Sequence, residues 1–127
     1  QKLQVTNLVN SFRSDFVKPI IIGNEEEFWT KVSAKLKAEI LIILQELLVN
    51  MKKHSQAKKV ILKFETTPNQ HLIFYSDDGI GLEKEFQKKN GLQNTETRIF
   101  SHGGTLKFDE STEKGLKINI SFPTKYK

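Results

Sequence analysis

Glu46, Asn50 and the Lys53-His54 pair follow one another at intervals of about one helical turn. At about 100° per residue they fall within roughly 100° of one another, on one side of a helix. An Asn amide oxygen is a neutral hard ligand suited to Mg²⁺, which prefers oxygen donors and keeps several waters. A Glu one turn earlier can accept a proton from, or orient, a nucleophile near such a metal. Lys53 and His54, one turn later, can contact phosphate oxygens. A solvated helix face uses the same residue types, and spacing alone does not separate the two readings. The second stretch is Asp77-Asp78-Gly79-Ile80-Gly81. Its glycines let the backbone turn tightly and let a flat ring approach with no Cβ in the way. The Asp77 carboxylate can accept a hydrogen bond from an exocyclic amine such as that of adenine. Asp-Gly turns are common, so a purely structural turn competes. A calcium loop is a poorer match, because the required oxygen-ligand spacing and terminal Glu do not follow. In the third stretch, Asn90-Gly91-Leu92, a polar loop runs into a helix start, where free backbone N–H groups favour phosphate.

These groups need elements to hold them. Leu3, Leu8, Val9, Phe12 and Phe16 recur at roughly helical spacing and predict a first helix over Leu3 to Ser14. Phe16 to Ile22 reads as a strand, and its Pro19 points to a sheet edge because proline cannot donate to a ladder. Gly23-Asn24 ends it. Glu25 to Val32 opens with acidic residues, as a helix N-terminus prefers. Ser33 is a candidate N-cap for a longer helix from Ala34 to His54, with Leu41, Leu44, Leu48 and Met51 as its apolar stripe. That stripe lies on a different face from Glu46 and Asn50, so one helix packs and presents at once. Val60 to Thr66 and His71 to Ser76 predict a hairpin joined at Thr67-Pro68-Asn69-Gln70. Glu83 to Asn90 reads as loop, and Leu92 to His102 as a helix stopped by Gly103-Gly104. Thr105 to Phe108 and Leu116 to Phe122 close the chain as strands. In the last, Leu116, Ile118, Ile120 and Phe122 alternate inward against Lys117, Asn119 and Ser121. The expected fold class is α+β, a two-layer sandwich whose mixed, mostly antiparallel sheet is covered on one face by about three helices.

A chain of 127 residues has the length of one domain. Its 37% apolar fraction is low, but nine Phe, one Trp and two Tyr supply a core. No apolar run approaches the roughly 20 residues of a membrane span, so membrane contact by this segment is not expected. The chain opens Gln1-Lys2-Leu3 and reads as an excised segment without a signal peptide. Absence of cysteine excludes disulfides, thiolate metal sites and Cys nucleophiles. The net charge of +5 invites a nucleic-acid reading. The basic residues are scattered, however, with no block interleaved by aromatics, so a polyphosphate ligand or acidic partner is expected instead of nucleic acid.

The order of a polar-faced helix, a hairpin, Asp-x-Gly-x-Gly and a Gly-opened helix ending in Gly-Gly resembles the catalytic ATP-binding domain of sensor histidine kinases. That family belongs to the wider Bergerat-fold group with gyrase and the MutL ATPases, and the likeness is greatest to short-lid kinases related to nitrate sensors. QELLVNMKKHSQA, residues 45–57, resembles the N box, and Asp77 to Gly81 resembles the first glycine box. Asn90 to Arg98 resembles the last glycine box and the helix after it, and Gly103-Gly104 and Gly115 to Pro123 the strand-rich end. Residues 33–123 match well and the N-terminal third loosely.

The resemblance implies ATP with Mg²⁺ as ligand and transfer of the γ-phosphoryl group to a histidine on an adjoining helical dimerisation domain. Asn50 would hold Mg²⁺ and Glu46 would act near the γ-phosphate, with Lys53 and His54 facing phosphates. Asp77 would take the adenine amine, Gly79, Gly81 and Gly91 would shape the pocket, and Leu92 would also belong to the ATP-binding set. Lys84, Lys88 and Lys89 would help hold the triphosphate. Two departures stand out: Lys89 occupies the first glycine position of the last glycine box, and Leu116 replaces a Thr usual near the adenine. None of His54, His71 and His102 lies in the setting of a phosphoacceptor, so that domain is expected upstream of Gln1. His71 and His102 are expected at the surface, and Trp29 and the Phe residues in packing. The implied partners are the acceptor domain and a response regulator, the implied location is the cytoplasm, and the segment is expected monomeric within a homodimeric parent. An anti-sigma-factor serine kinase shares these boxes, and a degenerate nucleotide-binding interaction module is a third reading.

Overall fold

A computed structural model describes residues 1–55, 57–79, 93–109 and 115–124. The chain runs α1 (Lys2–Asn10), β1 (Lys18–Ile22), α2 (Glu26–Thr30), α3 (Ala34–Asn50), a π-helical turn (Met51–Ser55), β2 (Lys59–Thr66) and β3 (Gln70–Asp77). It continues with α4 (Gln93–Ser101), β4 (Thr105–Phe108) and β5 (Leu116–Pro123). The strands form one five-stranded sheet in the order β1-β2-β3-β5-β4. Among the described strands only β1 and β2 run parallel; the other neighbours are antiparallel. β1 is an edge strand, where the missing N–H of Pro19 is tolerated.

Side chains alternate across the sheet as a period of two requires. Val60, Leu62 and Phe64 of β2, with His71, Ile73, Tyr75 and Asp77 of β3, form the inward rows. β5 adds Leu116, Ile118, Ile120 and Phe122, the alternation expected from its sequence. All four α-helices among the described residues bury side chains in the same core as these rows. The opposite face carries the exposed Lys18, Lys59, Lys63, Lys107 and Lys117, with Ile61, Leu72 and Phe74 half-buried among them. The architecture is therefore α+β, with helices on one side of a mixed sheet.

α3 starts where its cap predicts: the Leu36 N–H donates to Ser33 Oγ at 3.1 Å, satisfying one of the donors a helix start leaves open. Leu44, Leu48 and Met51 are buried as expected, but Leu41 is only half-buried, while Ile40, Ile43 and Leu47 are buried. The stripe is wider than predicted because α3 is flanked by both α1 and α4. The regular winding ends at Asn50, and the helix continues in the wider π form to Ser55.

Other expectations need correction. The first helix stops at Asn10, not Ser14, and Phe16 is 82% exposed and outside the strand. Ser14 Oγ accepts from the Phe16 and Val17 N–H groups at 3.1 Å, a local turn that competes with either element. Within α1 the buried positions are Val5 and Val9, and Leu3 faces solvent. His71 is 1% exposed rather than on the surface. Its place in the inward row of β3 puts the ring edge-on to Phe28, with centroids 5.4 Å apart.

Candidate functional site

The second half of α3 carries Glu46 and Asn50 at i and i+4, both half-buried on the side facing α4. A cleft of about 410 Å³ collects Glu46, Asn50 and Lys53 with Asn94 from the first turn of α4, over Ile42 and Val49. Asn50 Nδ2 donates to the Glu46 backbone carbonyl at 3.1 Å. With the amino end of the amide committed to the helix, its oxygen is the end left to serve as an acceptor or ligand. Among the described residues no group of three or more His, Cys, Asp or Glu side chains stands together to hold a metal. A donor set of one amide oxygen suits a cation that brings its own waters and phosphate ligands, as Mg²⁺ does, and not a caged structural ion.

Glu46 is held from the neighbouring helix. Thr95 Oγ1 donates to its Oε1 at 2.9 Å, and Arg98 Nε lies 3.5 Å from its Oε2. Arg98 Nη1 donates to Glu39 Oε1 at 3.0 Å, so one guanidinium bridges two carboxylates of α3. Bonding to Glu39 first, and the charge of Glu46 after it, raise the Arg98 pKa, with partial desolvation opposing. Sequence reading did not assign Thr95, Arg98 or Glu39 to the site. The available signal was spacing: 95 and 98 share a face of α4, and 39 and 46, seven apart, share a face of α3.

Asp77 ends the inward row of β3 and is 4% exposed. Its Oδ2 accepts from the Tyr75 hydroxyl at 2.6 Å and its Oδ1 from the Gly79 N–H at 3.0 Å. Burial, followed by the Asp77 charge and hydrogen bond, pushes the Tyr75 hydroxyl well above its usual 10.0, so Tyr75 remains a donor. Asp78 turns the other way and accepts from the Lys58 and Lys59 N–H groups at 2.8 and 2.9 Å, tying the turn to the start of β2. Gly115 has φ +80°, and a Cβ there would stand 2.0 Å from the Asp77 carbonyl oxygen. Leu116 pairs with Asp77 across the β3–β5 ladder, on the same inward face of the sheet.

The structure thus brings Glu46, Asn50 and Lys53 into one cleft and joins Asp77 to Gly79. Gly81, Gly91, Leu92, Lys84, Lys88 and Lys89 lie outside the described residues, as does the side chain of His54.

No protein-family model matches the chain. Among curated proteins, sensor histidine kinase DesK of Bacillus subtilis (strain 168) is 35% identical over 106 residues, covering 81% of this chain and 28% of DesK. Nitrate/nitrite sensor protein NarQ of Escherichia coli (strain K12) is 31% identical over 94 residues, covering 72% of this chain and 17% of NarQ. The chain spans less than a third of the length of either relative. The two are similar to it to nearly the same degree, and nitrate sensors are not singled out. Among solved structures, the Acinetobacter baumannii histidine kinase AdeS superposes with a TM-score of 0.75 over 98% of this chain and 65% of that one, at 15% identity. This likeness concerns the fold. By its sequence relationship to these kinases over most of its own length, the chain belongs to the sensor histidine kinase family.

Proposed function

We propose that the chain is the ATP-binding catalytic domain of a two-component sensor kinase. It binds Mg-ATP and passes the γ-phosphoryl group to a histidine on an adjoining dimerisation domain, and the phosphoryl group then passes to a response regulator. The observation that carries this reading is the cleft joining Glu46, Asn50 and Lys53 beside α4. In such a site catalysis is mainly positioning and charge neutralisation, and the magnesium that accompanies the nucleotide neutralises phosphate charge. Asn50 offers that ion its amide oxygen. Glu46, one turn earlier, accepts a proton from the attacking imidazole or orients it. Lys53 and His54 attract phosphate oxygens, and Asp77 accepts from the exocyclic amine of adenine. Gly79, Gly81 and Gly91 with Leu92 shape the nucleotide pocket. The reading places this segment in the cytoplasm, where ATP and response regulators are, within a homodimeric parent. No α-helix among the described residues is long and apolar enough to cross a membrane.

The test is incubation of the full-length protein with γ-labelled Mg-ATP. Acid-labile, alkali-stable label on histidine, lost on Asn50→Ala, is the expected result. Acid-stable phosphoserine would point to the serine-kinase reading instead, and label indifferent to Asn50→Ala would remove the site.

A further inference from the structure

We infer that Thr95 and Arg98 of α4 are positioning residues for the Glu46 carboxylate, with Glu39 holding Arg98 in place. The inference rests on the kinase reading of the cleft and adds to it the groups that aim its acid–base residue. Glu46 is a long, flexible side chain on a half-buried helix face, and without partners its carboxylate would sample several rotamers. Here each oxygen has one fixed neighbour on α4: Oε1 accepts the Thr95 hydroxyl at 2.9 Å, and Oε2 faces Arg98 Nε at 3.5 Å. A carboxylate oxygen has two lone pairs, so both oxygens keep an acceptor site for a proton arriving from the cleft.

Arg98 is itself tied down. Its Nη1 reaches Glu39 Oε1 at 3.0 Å, two turns before Glu46 and about 10.5 Å away along the axis of α3. The guanidinium therefore spans two carboxylates on one helix face, a geometry the rigid planar fork of Arg allows and a Lys ammonium does not. Arg98 Nε is buried and makes no hydrogen bond, so its contact with Glu46 is an ion pair that a small movement of α4 would shorten or break. Thr95 and Arg98 stand at the first and second turns of α4, close to the residues that resemble the last glycine box. Any shift of this helix along α3 moves the two groups that orient Glu46. The same two contacts fix α4 to α3, which explains why a polar face of α3 is half-buried there and not solvated.

The test is a double-mutant cycle on steady-state phosphoryl transfer by the full-length protein, with Mg-ATP affinity of each variant measured separately by calorimetry. Thr95→Val and Arg98→Gln should each lower kcat by about tenfold or more, since displacing a reacting group by an ångström can cost about a hundredfold. The Mg-ATP affinity should stay within about twofold, and Arg98→Lys, which keeps the charge but can reach only one of the two carboxylates at a time, should recover no more than part of the lost rate. In a Glu46→Gln background neither substitution should lower kcat by more than about a further twofold, because residues that act through one group are not additive. Losses that multiply onto Glu46→Gln, or that appear wholly in Mg-ATP affinity, would overturn the inference. Should Arg98→Gln fail to fold, Glu39→Gln leaves Arg98 and Glu46 in place and loosens only the anchor, and it should show the same pattern. A wild-type protein that binds no Mg-ATP defeats the kinase reading and this inference together, whereas binding and transfer with an additive cycle defeats this inference alone.

Discussion

Asp77 shows how much can depend on one carboxylate. It is buried, yet both oxygens are bonded, one by the Tyr75 hydroxyl and one by the Gly79 N–H. Tyr75→Phe should therefore cost about 1–3 kcal/mol, because it leaves a buried acceptor without its donor. Chemical unfolding measures that loss, and a change under about 0.5 kcal/mol would mean that Asp77 finds another partner. Asp77 was legible in the sequence because an Asp at a strand end followed by spaced glycines is a local pattern. Glu46 and Asn50 were legible for the same reason, lying one turn apart. Thr95 and Arg98 were not, because their partner Glu46 lies 49 residues from Thr95 and only the docking of two helices brings them together. His71 was misplaced for a related reason: its side follows from the register of β3 against β2 and β5, which one residue cannot announce.

Helix ends and turns carry the next set of consequences. Ser33 caps α3, and Ser33→Ala should destabilise the protein by about 1 kcal/mol, the usual cost of losing such a cap. A thermal melt reads it, and the Mg-ATP affinity should not change. α4 ends in a left-handed glycine: Gly103 has φ +74°, its N–H bonds Phe100 O, and the Gly104 N–H bonds Ile99 O. A Cβ on Gly104 would stand 2.5 Å from Ser121 O and 2.7 Å from the Phe122 ring. Gly104→Ala should thus cost about 1–3 kcal/mol by overpacking, and an unchanged unfolding midpoint would contradict the contact. The Gly-Gly stop and the Ser33 start were both readable, since caps are chemistry local to the chain. The first helix was read too long because Phe12 and Phe16 continue its apolar spacing, while the Ser14 turn that interrupts it leaves no periodic trace. The π-helical turn after Asn50 had no signal at all in a pattern based on regular winding.

Over the whole molecule, two groups should make stability depend on pH in separate windows. Burial holds the His71 pKa below its ordinary 6.5; a bond to the Lys31 backbone offsets this in part, and the Lys31 charge adds to it. The unfolded chain therefore takes up that proton first as pH falls, and stability declines from about 6.5 down to the folded value, then levels off. His71→Phe should flatten this part of a stability-against-pH curve, and a curve unchanged by the substitution would refute the assignment. Asp78 has the opposite bias: backbone N–H bonds, that of Lys59 foremost, hold its pKa below 3.8. Its contribution is present above that value and is lost as pH falls through the folded pKa, so the acid limb persists in His71→Phe.

The architecture was legible as a whole because strand alternation, the hairpin and the edge Pro19 all pointed to one sheet with helices on one side. The central claim is that this fold serves a nucleotide site whose metal-binding and adenine-binding ends are Asn50 and Asp77. Calorimetric titration of Mg-ATP into the chain, its Asp77→Asn and Asn50→Ala variants, and the chain without Mg²⁺ tests it most directly. The account predicts binding that Asp77→Asn abolishes and that weakens similarly on removing Mg²⁺ or on Asn50→Ala, with no further loss when both are done. Binding indifferent to both substitutions, or none at millimolar ATP, would contradict it.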